Sequence, residues 1–190
     1  MRVRLILPGL LAATALTLVG CGAEKTVSSS GAAQKTNPTA SGSSAPAQAG
    51  AGTAAVPAAL RFTGTTVDGK PFDASTLAGK PTVLWFWAPW CPKCRAQAAE
   101  TAKVAADNAG KANVLGVAGL DKNAAMKDFV SRTGTENFPH LSDEAGDVWK
   151  RFEVTEQSRY VILDKDGETV YEGVLPAGEG LAEKVAGLTG

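Results

Sequence analysis

Residues 85–94 read Trp-Phe-Trp-Ala-Pro-Trp-Cys-Pro-Lys-Cys, and this stretch decides the fold. The apolar run at 83–87 predicts a buried β-strand, and the alanine-rich run at 95–108 predicts an α-helix. This order places Cys91 at the first turn of the helix. The free backbone N–H groups and the positive end of the helix dipole there favour a thiolate. Because the thiolate attacks disulfides, the stretch predicts thiol–disulfide exchange through Cys91 and Cys94.

The N-terminus predicts export followed by a lipid anchor. Two arginines precede an apolar run at residues 5–19, about 15 residues long and shorter than the roughly 20 that a spanning helix needs. The run ends in Leu-Val-Gly-Cys at 18–21, which resembles the lipobox of bacterial lipoprotein signal peptides. That resemblance implies a signal peptide at 1–20 and a lipid on Cys21, the odd one of three cysteines. An ordinary signal peptide and an uncleaved anchor are the alternatives.

Residues 21–57 predict a lipidated N-terminus that continues into a disordered tether. The segment is rich in Ser, Thr, Ala, Gly, Pro and Gln and has almost no large apolar side chain. Such a composition buries too little apolar surface to offset the entropy lost on ordering. A flexible chain of roughly 35 residues reaches about 30 Å, so the tether would let a folded domain move near the membrane.

Residues 58–190 predict one α/β domain. The order of elements is a short β-hairpin around the Asp68-Gly69 turn, then β, α, β, α, α, β, β and α. The second helix has Met126, Phe129 and Val130 on one face, and the third is expected over 145–152. The last two strands flank Lys-Asp-Gly at 165–167. Strands that alternate with helices and end in an antiparallel hairpin imply a mixed central sheet with helices on both faces.

The domain resembles the thioredoxin-fold superfamily, and within it the extracytoplasmic TlpA, ResA and DsbE/DsbF-like thiol–disulfide oxidoreductases. The matching pieces are Gly79-Lys80-Pro81, the block at 84–94, a helix inserted near 124–131, and Leu163-Asp164-Lys165-Asp166-Gly167. With its lipobox and tether, the chain is most similar to lipoproteins of actinobacteria. The resemblance implies a thioredoxin-like α/β fold with a mixed central sheet, helices on both faces, an N-terminal β-hairpin and an inserted helix.

The resemblance also implies a role for each residue around the cysteine pair. Cys91 is expected to be the exposed nucleophile that forms the mixed disulfide, and Cys94 the resolving thiol. Trp90 is expected to form part of a platform around them, while Pro92 and Lys93 tune the potential of the pair. Lys93 adds positive charge near Cys91, which favours its thiolate. No organic cofactor or metal is implied.

One loop departs from the family pattern. Ser158 stands where thioredoxin-fold proteins usually place a cis-proline. A cis bond before a non-proline residue costs about 3–4 kcal/mol, so a trans Gln157–Ser158 peptide is expected. Because this loop normally offers backbone groups to the substrate chain, Gln157 and Ser158 are expected to face the substrate.

One position in the predicted strand and one in the predicted helix also depart from the family pattern. Trp85 replaces a buried aspartate of cytoplasmic thioredoxins, and Gln97 replaces a glutamate that TlpA-like proteins often carry. Glutamine cannot accept a proton as a carboxylate can, so Cys94 is expected to lack its usual proton acceptor. Glu100, which could substitute, is expected on a solvated face.

Other functions of the cysteine pair are less well supported by the sequence. A zinc site needs about four ligands, and beyond the pair the only candidates are His140 and Cys21, which the lipobox assigns to a lipid. Covalent haem attachment needs a histidine where Arg95 stands. A copper-binding metallochaperone would join His140, the single histidine, to Cys91 and Cys94. A surface or loop position is the favoured interpretation of His140. An inert structural disulfide is disfavoured because a bridge across so short a loop stabilises little.

The sequence thus predicts thiol–disulfide exchange at the extracytoplasmic face of a bacterial cell membrane. The expected partners are cysteine-containing exported proteins, a membrane redox partner, and the membrane itself through the lipid. Nucleic acid is not expected, because Lys+Arg and Asp+Glu balance at 19 each. Lys93 and export slightly favour an oxidase that installs disulfides. The alternative is a reductase that supplies thiols for cytochrome c maturation.

Overall fold

The structure, a computed structural model, describes residues 55–177 and 179–190. The predicted signal peptide, the lipid site at Cys21 and nearly all of the predicted tether lie outside these residues. No helix in the described part of the chain is both long and apolar enough to cross a membrane.

The described residues form a five-stranded sheet, a separate two-stranded hairpin and four α-helices. In chain order the elements are β1 (Thr63–Thr65), β2 (Pro71–Asp73), β3 (Thr82–Trp87), α1 (Pro92–Asp107), β4 (Asn113–Ala118), α2 (Asn123–Thr133), β5 (His140–Ser142), α3 (Asp147–Arg151), β6 (Arg159–Leu163), β7 (Thr169–Val174) and α4 (Leu181–Thr189). Single 3-10 turns lie at Ala58–Leu60 and Ala74–Leu77.

The sheet is mixed, as the sequence predicts, with the strand order β5-β4-β3-β6-β7. β3 pairs parallel with β4 and antiparallel with β6, and β6 continues into the antiparallel β6–β7 hairpin. The N-terminal hairpin is also confirmed, with β1 antiparallel to β2. The central strand β3 therefore lies between a parallel and an antiparallel neighbour. The cysteines follow its C-terminal end.

Two hydrophobic cores flank the sheet, and β3 contributes to both. All six residues of β3 are buried. Trp85 and Trp87 face one core together with buried side chains of α1, α2 and α4. Leu84 and Phe86 face the other, which contains Trp149 of α3 and the segment that leads into the hairpin. Successive side chains of a strand point to opposite faces of the sheet, so the continuous apolar run of β3 contributes side chains to both cores. Helices on both faces are thus confirmed.

Two expectations about the region after α2 are wrong. Residues 145–152 form only a five-residue helix, Asp147–Arg151, because Gly146 adopts a left-handed conformation with φ 71° at its start. The strand β5 was not predicted from the sequence; it pairs parallel with β4 and places His140 opposite Gly116. His140 is therefore a buried strand residue, 2% exposed, and not a surface or loop histidine.

His140 is buried because both of its ring nitrogens have partners. Trp87 Nε1 donates to His140 Nδ1 at 3.2 Å, and His140 Nε2 lies 2.9 Å from the Thr135 carbonyl. With Nδ1 accepting, Nε2 carries the proton and donates, so the ring is neutral. A side chain at Gly116 would collide with the His140 ring, so glycine provides the space that the ring fills.

Burial lowers the pKa of His140 from its ordinary value of 6.5 to about 4, opposed by the Thr135 hydrogen bond and the charge of Asp68. Below about pH 6.5 the unfolded chain binds a proton that the folded chain does not bind until about pH 4. We therefore expect this group to remove about 3 kcal/mol of unfolding free energy as the pH falls across that window.

The check is urea unfolding of wild type and His140→Gln from pH 7 to pH 4. Glutamine offers one acceptor and one donor in place of the two ring nitrogens but does not titrate. Because the chain has a single histidine, the difference between the two pH profiles isolates this group. Parallel profiles would show that His140 is not held neutral in the folded protein.

Candidate active site

The cysteine pair lies where β3 gives way to α1. Cys91 is the N-cap of α1 with extended backbone angles, φ −81° and ψ 114°, and Pro92 follows at the first helical position. Proline suits that position because its fixed φ is helical and it has no N–H to satisfy. Cys91 and Cys94 form a disulfide with a Cα–Cα distance of 5.3 Å. The Cys94 N–H also donates to Cys91 Sγ at 3.0 Å, so a helix N-terminus points at this sulfur.

Cys91 is less exposed than the sequence analysis expects. It retains 3% of its surface and Cys94 retains none. Both cysteines pack in the core cluster that contains Trp85 and Trp87, which explains the burial. The expectation of an openly exposed Cys91 is wrong for the disulfide form, although Cys91 remains the more accessible of the two.

The exposed apolar surface beside the pair belongs to Trp90 and Leu120. Each is 53% exposed, and Trp90 Nε1 donates to the Leu120 carbonyl at 3.3 Å. Leu120 holds a φ of 60°, which is uncommon for a residue with a branched side chain. Pro92 and Lys93 are exposed at the start of α1. The bond to Leu120 ties the indole of Trp90 to the loop after β4.

Ser158 faces the pair from the loop before β6. Its Oγ lies 3.8 Å from Cys91 Sγ, and the residue is 4% exposed. No peptide bond in the described residues is cis, so the Gln157–Ser158 peptide is trans, as predicted. Ser158 has a φ of 65°, in the left-handed region that serine seldom occupies. Gln157 beside it is half-buried.

Gln97 joins the helix of the cysteines to this loop. The side chain is fully buried. Its Nε2 donates to the carbonyl oxygens of Ser158, at 3.1 Å, and Leu175, at 3.0 Å. Its Oε1 accepts from Trp85 Nε1 at 3.1 Å. In the sequence Trp85 and Gln97 are two separate departures from the family, but in the structure their side chains are hydrogen-bonded to each other.

Glu100 does not lie on a solvated face, which corrects the sequence prediction. It is half-buried, and its Oε1 accepts the backbone N–H of Leu181 at 3.0 Å, at the first residue of α4. Its Oε2 is buried without a hydrogen-bond partner. At the next residue of α1, Thr101 Oγ1 lies 2.8 Å from Tyr160 Oη, and burial raises the pKa of Tyr160 above its ordinary value. This face of α1 is therefore bonded to the sheet and to α4.

The structure does not bring His140 to the cysteines as a third ligand. Its ring nitrogens are engaged with Trp87 and Thr135. Among residues 55–177 and 179–190, no group of three or more His, Cys, Asp or Glu side chains is arranged to hold a metal ion. What the site offers chemically is a disulfide whose sulfurs sit at the positive end of a helix.

Comparison with known proteins shows similarity to disulfide oxidoreductases. A family model described as Redoxin matches residues 40–188. The soluble secreted antigen MPT53 of Mycobacterium tuberculosis is 40% identical over 112 residues, which are 59% of this chain and 64% of that protein. The chain thus spans less than two thirds of the length of this relative. The thiol-disulfide oxidoreductase ResA of Bacillus cereus is 25% identical over 115 residues, which are 60% of this chain and 66% of that protein.

Solved structures agree with the fold. A structure of MTB dsbF in its mixed oxidized and reduced forms is 42% identical, with a TM-score of 0.65, and covers 70% of this chain and 99% of its own. A secreted Mycobacterium tuberculosis disulfide oxidoreductase, homologous to E. coli DsbE, is 37% identical with a TM-score of 0.60. That match covers 69% of this chain and 96% of the other. The resemblance to the thioredoxin fold is confirmed.

Replacing the Gln97 amide by a carboxylate is expected to destabilise the folded protein. In Gln97→Glu, a carboxylate would face two carbonyl oxygens that now accept from Nε2, with no donor of its own. We expect the free energy of unfolding at pH 7 to fall by roughly 2–4 kcal/mol. Burial and the two carbonyls would raise the folded pKa of the new carboxyl, so part of the loss should return as the pH falls towards 5. Chemical denaturation at both pH values measures this.

The Gln97→Met variant serves as the control, because it removes the same hydrogen bonds without adding a titratable group. Its deficit relative to wild type should be similar at pH 7 and pH 5. If Gln97→Glu is as stable as wild type at pH 7, the hydrogen bonds of the amide do not hold the loop.

Proposed function

The chain belongs to the Redoxin family, and from this we propose that it is a thiol–disulfide oxidoreductase that exchanges disulfides with exported proteins through Cys91 and Cys94. One observation supports this most strongly: the Cys91–Cys94 disulfide lies at the N-terminus of α1, with Cys91 the less buried of the two residues. A cysteine at that position ionises readily, and an ionised thiol both attacks and leaves easily.

The reaction proceeds in two exchange steps. In the oxidising direction, a substrate thiolate attacks Cys91 Sγ, forms a mixed disulfide and releases Cys94 as a thiolate. A second substrate thiolate then attacks the substrate sulfur of that bond and releases Cys91. Two electrons pass from substrate to protein, and the two protons of the substrate thiols are balanced by the two thiols formed on the protein. Reduction of a substrate is the same sequence reversed.

The neighbours of the pair have supporting roles in this proposal. Trp90 forms an apolar platform beside the sulfurs, where a substrate chain would lie. Pro92 and Lys93 adjust the stability of the Cys91 thiolate, Lys93 through its positive charge. Gln157 and Ser158 would face the substrate chain with their backbone groups. No cofactor enters the reaction.

We propose that the domain at 58–190 acts at the extracytoplasmic face of a bacterial cell membrane. Cleavage after residue 20 would leave Cys21 as a lipidated N-terminus, and 21–57 would be the tether. Two acyl chains on one cysteine hold a protein stably where a single chain binds marginally. The description of MPT53 as a secreted antigen is consistent with export. A membrane redox partner would restore the pair after each cycle.

The oxidising direction is slightly favoured. The helix N-terminus and Lys93 both stabilise a thiolate at Cys91, which stabilises the reduced form and makes the pair a stronger oxidant. The alternative in the same class is a reductase that supplies thiols for cytochrome c maturation. The copper-binding alternative loses its support, because His140 is bonded to Trp87 and Thr135.

Glutathionylation tests the proposal. The reduced full chain is mixed with oxidised glutathione, and adducts are located by peptide mass spectrometry, which separates Cys91 from Cys21. Cys94→Ser should retain glutathione on Cys91, while wild type should release it and regain the Cys91–Cys94 disulfide. Cys91→Ser is the matched control, and its adduct at the fully buried Cys94 should form at least about tenfold more slowly. Equal rates in the two variants would refute Cys91 as the attacking thiol.

A further inference from the structure

We propose that the Ser158 hydroxyl is a catalytic group, which donates a hydrogen bond to the Cys91 thiolate whenever the disulfide is open. The inference rests on the proposed function and adds to it a side chain that touches the reacting sulfur. It assigns Ser158 more than the backbone role implied by its place in the chain.

The contact already exists in the disulfide form. Ser158 Oγ lies 3.8 Å from Cys91 Sγ, within hydrogen-bond range for sulfur, and Ser158 is 4% exposed. A disulfide sulfur is a weak acceptor, but an opened bond leaves Cys91 with a full negative charge. Hydrogen bonds to charged acceptors are roughly twice as strong as neutral ones. Because Cys91 and Ser158 are both buried, the hydroxyl takes the place of a solvent donor.

The backbone of Ser158 is held in the conformation that directs this side chain. A left-handed φ of 65° is unfavourable for serine and persists only where the surroundings fix it. Gln97 Nε2 donates to the Ser158 carbonyl at 3.1 Å, which fixes the peptide that follows. The next residue, Arg159, is paired with Phe86 of β3. Gln97 is therefore a positioning residue for the hydroxyl.

Cys91 Sγ thus has donors from two separate elements. The Cys94 N–H approaches from α1 at 3.0 Å, and Ser158 Oγ approaches from the loop before β6. The exposed Lys93 contributes only a screened charge from outside. The sulfur therefore lies between fixed donors, which cost no reorganisation when its charge develops.

The hydroxyl acts in the step that creates or uses the Cys91 thiolate. In substrate oxidation Cys91 is the leaving group of the second exchange, and its S–S bond to the substrate breaks as the substrate disulfide forms. In reduction the same thiolate is the attacker. The proton of Ser158 stays on its oxygen in both directions, so the balance of two electrons and two protons is unchanged. Stabilising this thiolate lowers the barrier to its departure.

The test measures how fast iodoacetamide alkylates Cys91 as a function of pH. It uses the reduced full chain in a Cys94→Ser background, so that the pair does not titrate together. Ser158→Ala removes the hydroxyl and keeps the left-handed strain, whereas Ser158→Gly removes both. We expect both variants to raise the pKa of Cys91 by about one unit, and to alkylate about tenfold more slowly well below that pKa.

The pair of variants separates the hydroxyl from the backbone. A shift in Ser158→Gly alone would mean that strain, not hydrogen bonding, acts on Cys91, and no shift in either would also overturn the inference. The parent Cys94→Ser protein is treated with oxidised glutathione in parallel. If its Cys91 forms no mixed disulfide, the proposed function fails, whereas an adduct with unshifted variants refutes the Ser158 role alone.

Discussion

The buried side-chain amide of Gln97 is the interaction on which the arrangement of the site depends. It lies about one helical turn beyond Cys94, and its hydrogen bonds reach Trp85 of β3, the loop of Ser158 and Leu175, the residue after β7. Three segments that meet only through tertiary structure are thereby fixed to one side chain. A buried polar group is stable only when its partners are all present, and here each of its donors and its acceptor is matched.

This constraint explains how the active-site loop keeps its shape without a cis-proline. A proline fixes a loop through its own ring, whereas Ser158 has no such restriction and occupies a conformation that serine disfavours. Its carbonyl is held by Gln97, and Arg159 after it pairs with β3. Trp85, which stands where cytoplasmic thioredoxins carry an aspartate, completes this arrangement. Its indole N–H donates the one hydrogen bond that the amide oxygen of Gln97 accepts. A carboxylate on either side chain would not fit this pattern.

The fold was largely predictable because its signals are local. The apolar run of β3, the turn at the cysteines and the alanine-rich α1 lie within 26 residues, 82–107, and their order identifies the strand, the site and the helix. The order of strands and helices along the chain also predicted a sheet covered on both faces. β5 escaped prediction because it has only three residues, too few for a periodic pattern. Likewise the length of α3 was set by the backbone of Gly146 and not by its apolar spacing.

The parts of the site that were missed depend on contacts between distant residues. His140 is hydrogen-bonded in the core to Trp87, which is 53 positions away. The two carbonyl oxygens that accept from Gln97 Nε2 belong to residues 61 and 78 positions away. No local spacing encodes such contacts. Glutamine is usually exposed and histidine is intermediate, so residue type alone predicts burial for neither. The burial of Cys91 likewise follows from packing against the core, which the helix-start argument does not address.

The measurement that tests the central claim most directly is the reduction potential of the Cys91–Cys94 pair. The full chain is equilibrated in glutathione buffers, and the oxidation state of the peptide that contains both cysteines is read by mass spectrometry. An exchange enzyme that stabilises the Cys91 thiolate should lie in the range of known oxidants and isomerases, about −120 to −180 mV. A potential below about −300 mV is typical of structural disulfides and would contradict the account.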